Sequence, residues 1–287
     1  LQKEPFAMKS AQLALLGLAA LPLAFGAYAW GRSREAPAKA VPTITIPAQD
    51  FALEAPDTLP EGAVRLRLVN QGKKFHHVWL ARLDGGRTLD DVLGALKSHG
   101  PMPAWLRDMG GPNAPMPGGG EANATVVLTP GSYLLACLIP SADGVPHLMK
   151  GMIRQLTVVE TDAPAAAPAG DVTMTLDDYR FTLSRPLAAG RQLIEVRNVG
   201  GQSHEVELIK LAPGKNAMDV LAWVEKPVGP PAGFAIGGVS PLARGGVSWF
   251  DVVLEPGRYG LLCFLPDAKD GKPHFEHGMA NQTKVAS

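Results

Sequence analysis

Apolar and polar side chains alternate along most of the chain. In AVRLRLVN, Val64, Leu66 and Leu68 alternate with Arg65 and Arg67, the period-two pattern of a strand with one buried face, and RQLIEVRNV repeats it further on. HVWLARL, ATVVLT, SYLLACL and MIRQLTVVE follow the first of these runs; HEVELIK, VSWFDVVL and RYGLLCF follow the second, each bounded by glycine or proline. Two stretches break the pattern: Thr88 is placed to cap a helix over LDDVLGALK, and Asn216 one over AMDVLAWVE. The pattern predicts an all-β protein with seven or eight strands in each half, folded as antiparallel Greek-key sandwiches with one short helix inserted in each.

One apolar run is of a different kind. Ala11 to Trp30 carries no charge, and twenty helical residues rise about 30 Å, the thickness of a bilayer's hydrocarbon core. Residues 1–34 therefore read as an N-terminal hydrophobic helix, either a membrane anchor or a signal peptide ending near Ala27-Tyr28-Ala29, with Met8 as a natural start. Both readings place the rest of the chain in the periplasm or on the extracytoplasmic side, anchored to the inner membrane if residues 11–30 are kept. The charged, proline-bearing residues 35–42 read as a linker, and TDAPAAAPAG, residues 161–170, as a second tether. They delimit two domains, 43–160 and 171–287.

Those domains are copies of one another. Asn70 and His76 recur as Asn198 and His204 at an offset of 128 residues, and Gly110-Gly111 as Gly237-Gly238 at 127. Pro130-Gly131, Tyr133 and Cys137 recur as Pro256-Gly257, Tyr259 and Cys263 at 126, and His147 and Met152 as His274 and Met279 at 127. An offset that drifts by so little marks an internal duplication.

The duplication preserves a constellation with chemistry in it. His76, Cys137, His147 and Met152 form one set, and His204, Cys263, His274 and Met279 the other. Two imidazoles, a thiolate and a weak thioether are the ligand set of a blue-copper electron-transfer site. Each cysteine ends a strand and a loop carries the second histidine. Gly151 and Gly278, just before each Met, suit the turn back into the last strand.

With these residues in place, both copies resemble cupredoxins. CLIPSADGVPHLMKGM and CFLPDAKDGKPHFEHGM are similar to the type 1 copper loop of copper nitrite reductases and related cupredoxins, although the gap of nine or ten residues between Cys and His is slightly longer than usual. The resemblance implies two tandem cupredoxin-like Greek-key β-sandwiches, up to two type 1 coppers held by the eight residues above, and a redox partner such as a cytochrome or a membrane electron-transfer complex. It also implies an apolar docking rim around Pro146 and Leu148, or Pro273 and Phe275, widened by PMPAWL and PPAGF. Oxidases and nitrite reductases of this kind need further histidines, commonly beside the cysteine. Here Cys137 lies between Ala136 and Leu138, and Cys263 between Leu262 and Phe264. No type 2 or trinuclear ligand set is evident, which points to a carrier and not an enzyme.

Composition adds exclusions. The 27 Lys plus Arg balance 27 Asp plus Glu, leaving no basic field for nucleic acid. Two cysteines in equivalent strands of separate copies are poorly placed for a disulfide. His77 follows His76 on an alternating strand and is expected at the surface, as is His277; Met149 is set aside as an axial ligand because its counterpart is Glu276. Trp79, Trp105, Trp223 and Trp249 are expected in packing roles, and no role is assigned to His99. The rival reading is an accessory subunit of a respiratory or photosynthetic membrane complex, with cupredoxin folds whose copper sites are empty.

Overall fold

The structure, a computed structural model, describes residues 39–98 and 102–286. The first repeat runs β1 (Thr43–Gln49), β2 (Ala52–Leu53), β3 (Thr58–Pro60), β4 (Gly62–Asn70), β5 (Trp79–Leu83), α1 (Leu89–Lys97), β6 (Leu106–Gly110), β7 (Gly120–Leu128), β8 (Gly131–Ala136) and β9 (Ile153–Val159). The second runs β10 (Val172–Asp177), β11 (Arg180–Leu183), β12 (Gly190–Asn198), β13 (His204–Leu211), α2 (Ala217–Glu225), β14 (Gly233–Leu242), β15 (Val247–Leu254), β16 (Gly257–Leu262) and β17 (Ala280–Val285). Both helices start in full capping boxes. Thr88 and Asn216 accept from the amides three residues on, and Asp91 and Asp219 reach back to the cap amides.

The repeats share their sheets. One sheet has the order β11-β10-β12-β15-β7-β4-β1-β2, four strands from each repeat, and the other β17-β16-β13-β14-β6-β5-β8-β9-β3, five from the first repeat and four from the second. The joins are narrow, Trp249 opposite Thr125 and Leu242 opposite Met109. Each repeat keeps its own core between the sheets: Ile46, Leu66, Leu68, Leu80 and Leu135 in the first, Met174, Ile194, Val196, Leu208 and Phe250 in the second. Alternation along β4 and β12 turns Leu66, Leu68, Ile194 and Val196 inward. Strands β5 and β13 are buried on both faces because α1 and α2 cover the outer side of the second sheet, packing Val92 against Trp79 and Leu134, and Val220 with Leu221 against Ile209 and Leu262.

The duplicated Gly-Gly pairs mark where the repeats meet. A Cβ on Gly111 would lie 2.2 Å from the carbonyl oxygen of Val78, and one on Gly238 2.0 Å from that of Val206. Only glycine lets these backbones cross so closely. Residues 161–170 do not hang free: Ala165 is buried and its carbonyl accepts from the amide of Ala63 at 2.8 Å, laying this stretch along the start of β4. Among the described residues no helix is long and apolar enough to cross a membrane. The expected N-terminal helix, residues 1–34, lies outside the described residues, as does His99.

Candidate metal centre

Two groups of side chains converge, one per repeat, at equivalent places. Strand β4 ends at Asn70, whose side chain accepts from the amide of Gly72 at 3.1 Å and donates to the carbonyl of Lys74 at 2.9 Å, shaping the loop that delivers His76. Asn198 does the same with Gly200 at 2.9 Å and Gln202 at 2.8 Å, ahead of His204. Cys137 and Cys263 directly follow β8 and β16. Their amides are held as well: that of Cys137 donates to the carbonyl of Met152 and that of Cys263 to the carbonyl of Met279, both at 3.1 Å. The second histidine opens a tight turn, and Gly151 (φ 112°) and Gly278 (φ 123°) close it in the left-handed region, as their position before each Met led us to expect.

The geometry within each group is close. His76 Nδ1 and His147 Nδ1 are 3.1 Å apart, with Cys137 Sγ 3.5 Å from His147 Nδ1. In the second repeat the values are 3.0 Å between His204 Nδ1 and His274 Nδ1 and 3.3 Å from Cys263 Sγ to His274 Nδ1. Nitrogen and thiolate ligands at about 2.0 and 2.3 Å from a tetrahedral first-row ion lie about 3.3 Å (N to N) and about 3.5 Å (N to S) from one another. Both groups match that spacing, and all their ligand atoms fall within 4.8 Å of one another. Met152 and Met279 are fully buried, and each donates its amide to the carbonyl of the second histidine, at 3.1 and 3.0 Å. The cysteines are free and buried.

Burial sets the protonation states. It pushes the Cys137 thiol up to about 11 and the Cys263 thiol higher still, and holds His147 and His274 down at about 4. Each sulfur also receives two backbone N–H groups, those of His77 and Ile139 in the first repeat and of Glu205 and Leu265 in the second.

Four neighbours of the site were not anticipated. Asp50 Oδ1 and Asp178 Oδ1 each accept from the Nε2 of the first histidine at 2.8 Å. Burial works against their ionisation, but the histidine and backbone hydrogen bonds outweigh it and lower both pKa values. The next residue in each turn is aromatic and stands edge-on to the second histidine, Phe51 at 5.0 Å from His147 and Tyr179 at 5.8 Å from His274. Both pairs sit 128 residues apart, so aligning the copies could have found them.

Other expectations change. His77 is not at the surface; it is 5 % exposed, because residues 75–78 are not part of a strand and alternation does not govern them. Its counterpart Glu205 is buried too. Leu148 does not form a rim but packs inward with Trp79 and Leu106, joined by Trp105 of the PMPAWL stretch, and Phe275 lies half-buried against Phe264. The second histidines themselves are covered, His147 being 1 % and His274 0 % exposed. Met149 is exposed, and His277 is half-exposed, paired with Asp270 at 3.2 Å.

No family model matches the chain, and no curated protein matches it. Among solved structures it is similar to the dithionite-reduced auracyanin of Roseiflexus castenholzii, with 19% identity, 42% of this chain and 98% of that one covered, and a TM-score of 0.29. It is similar also to a blue copper oxidase from Nitrosomonas europaea, with 16% identity, 86% of each chain covered and a TM-score of 0.26. A copper nitrite reductase from Nitrosomonas europaea aligns with 13% identity, 86% of this chain and 94% of that one covered, and a TM-score of 0.25. The two His–Cys–His groups of this chain fit type 1 copper sites in donor type and spacing.

Proposed function

We propose that this chain is an exported, membrane-anchored one-electron carrier whose two repeats each hold a type 1 copper, with Met152 and Met279 as the weak axial ligands. The observation that carries the reading is the spacing of two Nδ1 atoms and one Sγ, matched to an N₂S ion site twice in one chain. Copper in such a set supplies a one-electron Cu(I)/Cu(II) couple.

The chain's own residues do the rest. Asp50 and Asp178 hold the proton of the first histidine on Nε2 and so leave Nδ1 bare toward the sulfur. Paired N–H groups at each sulfur favour a thiolate once a cation replaces its proton. Phe51 and Tyr179 cover the second histidine and keep bulk water from the donor atoms. A redox protein such as a cytochrome, docking at the extracytoplasmic face, is the partner this arrangement suits.

The test is copper per chain and the visible spectrum of the full chain, wild type beside Cys137→Ser and Cys263→Ser. Two coppers and an intense thiolate charge-transfer band, each halved by either substitution, is the expected outcome. A colourless chain that retains no copper refutes the carrier and leaves the accessory-subunit reading.

A further inference from the structure

The residue after each first histidine is buried, polar and bound to the cysteine loop of its own repeat. His77 Nε2 accepts from the amide of Leu138 at 2.9 Å, and Glu205 Oε1 accepts from the amide of Phe264 at 3.0 Å. Leu138 and Phe264 directly follow Cys137 and Cys263. The backbone N–H groups of His77 and Glu205 point at the sulfurs themselves, that of Glu205 at 3.4 Å. Each of these residues therefore grips its cysteine from both sides of the Sγ atom.

The two grips are joined. Asn113, 3 % exposed, follows β6 and lies where the repeats meet. Since His77 accepts at Nε2 its neutral ring carries the proton on Nδ1, and its side chain is hydrogen-bonded to that of Asn113, whose Oδ1 also accepts from the amide of Ala114 at 3.0 Å. On the other side Asn113 Nδ2 donates to the carbonyl of Val206 at 3.2 Å and reaches Glu205 Oε2 at 3.5 Å. The amide of Asn113 donates to Gly238, and that of Ala114 to Glu207 Oε2 at 3.1 Å, fixing this segment to the second repeat. An imidazole, a carboxamide and a carboxyl group in an interface cost free energy that apolar side chains would not. A connected row of hydrogen bonds polarises from end to end, which isolated polar contacts cannot do.

We propose that His77, Asn113 and Glu205 are positioning residues that couple the two His–Cys–His groups, so that a change at one sulfur is registered at the other. The coupling rests on the reading of these groups as paired metal sites, but the row of hydrogen bonds exists without metal and is tested without it.

In the metal-free, ¹⁵N-labelled full chain, Glu205→Gln in the second repeat is expected to shift the amide resonance of Leu138 in the first, while the exposed control Lys269→Ala leaves it in place. Asn113→Leu, or Asn113→Ala should the larger side chain unfold the chain, is expected to abolish that response. In the second arm Cu(I) is titrated against a competing chelator. Binding at one site changes affinity at the other by about fivefold in the wild type, taken against the single-site Cys137→Ser and Cys263→Ser chains, and by less than twofold with Asn113→Leu. A Leu138 resonance indifferent to Glu205→Gln, or one that still responds without Asn113, overturns the coupling. A chain that binds no copper overturns the carrier reading alone, because the amide measurement still decides the coupling.

Discussion

Removing the carboxylate behind one first histidine should weaken the metal site of its own repeat. In Asp178→Ala the lost contact is the 2.8 Å hydrogen bond to His204 Nε2, from an aspartate 37% exposed to a histidine that is fully buried. Nδ1 stays the ligand atom only while the ring proton stays on Nε2, so the tautomer and the ring orientation both loosen. Losing such a partner costs about 10- to 100-fold in metal affinity, equivalent to about 1.4–2.7 kcal/mol. Because Asp178 is open to solvent, water replaces part of the lost bond, and fold stability should drop by only about 1 kcal/mol. Asp178→Asn keeps an acceptor and should fall between the two. The assay is Cu(I) competition in the Cys137→Ser background, where only the second site remains, with Asp50→Ala in the Cys263→Ser background as the matched experiment on the first. Affinity within twofold of the parent in a folded Asp178→Ala chain would refute the tautomer argument.

Four further outcomes follow from the same atoms. Because both thiols are protonated at neutral pH and His147 and His274 are already neutral, loading copper at pH 7 should release about one proton per site; two per site in a weakly buffered titration would contradict those states. Between pH 4.5 and 6.5, His77, His147 and His274 take protons in the unfolded chain and not in the fold, while Glu205, raised to about 7 by burial, and Glu207 hold protons in the fold and not in the unfolded chain. His76, also lowered by burial, adds to the histidines, so stability should rise with pH across this window, and Glu205→Gln should steepen the rise by about 1.4 kcal/mol per pH unit in denaturant melts of the metal-free chain. Gly238→Ala, with φ 140° and a Cβ 2.0 Å from a backbone oxygen, should cost about 3 kcal/mol and lower Tm by about 6–12 °C, whereas Gly245→Ala, with open space around it, should cost about 1 kcal/mol. Asp267→Asn, beside His274 at 3.8 Å, should raise the reduction potential of the second site by about 40 mV, the equivalent of about 1 kcal/mol for one electron, in a spectroelectrochemical titration.

Most of the site could be read from the sequence because duplication wrote it twice. The histidines and cysteines that converge stood out by their matched offsets, and strand alternation in β4 and β12 placed part of the cores. What escaped has physical reasons. Asp50 and Asp178 follow strands in turns, where aspartate is common for its own local hydrogen bonds, so neither looked like a partner for a histidine 26 residues on. Alternation places His77 at the surface only if the strand extends to it, and β5 begins two residues later, at Trp79. Its partner Asn113 comes from another loop, and that kind of pairing has no period along the chain. The shared sheets were invisible for a similar reason: a repeat announces two similar folds but says nothing about which edges pair. Gly110-Gly111 and Gly237-Gly238 carried that information without a way to decode it.

The copies have kept their His–Cys–His groups and let the surroundings diverge, and the divergence follows a direction. Lys74 and Lys150 act on His147 against the one carboxylate of Asp50, and Lys150 lies over the Phe51 ring at 5.2 Å, so cations outnumber anions at the first site. At the second, Tyr179 and Gln202 both donate to Asp267, which these bonds keep ionised well below the ordinary carboxylate range within reach of His274. Positive charge favours a reduced metal and negative charge an oxidised one, so the first site should hold an electron more readily than the second. Two equal sites would make duplication a matter of capacity. If the chain carries electrons as proposed, unequal sites, gripped by His77 and Glu205 and joined through Asn113, make it a matter of order, with the second repeat suited to give up an electron and the first to keep it.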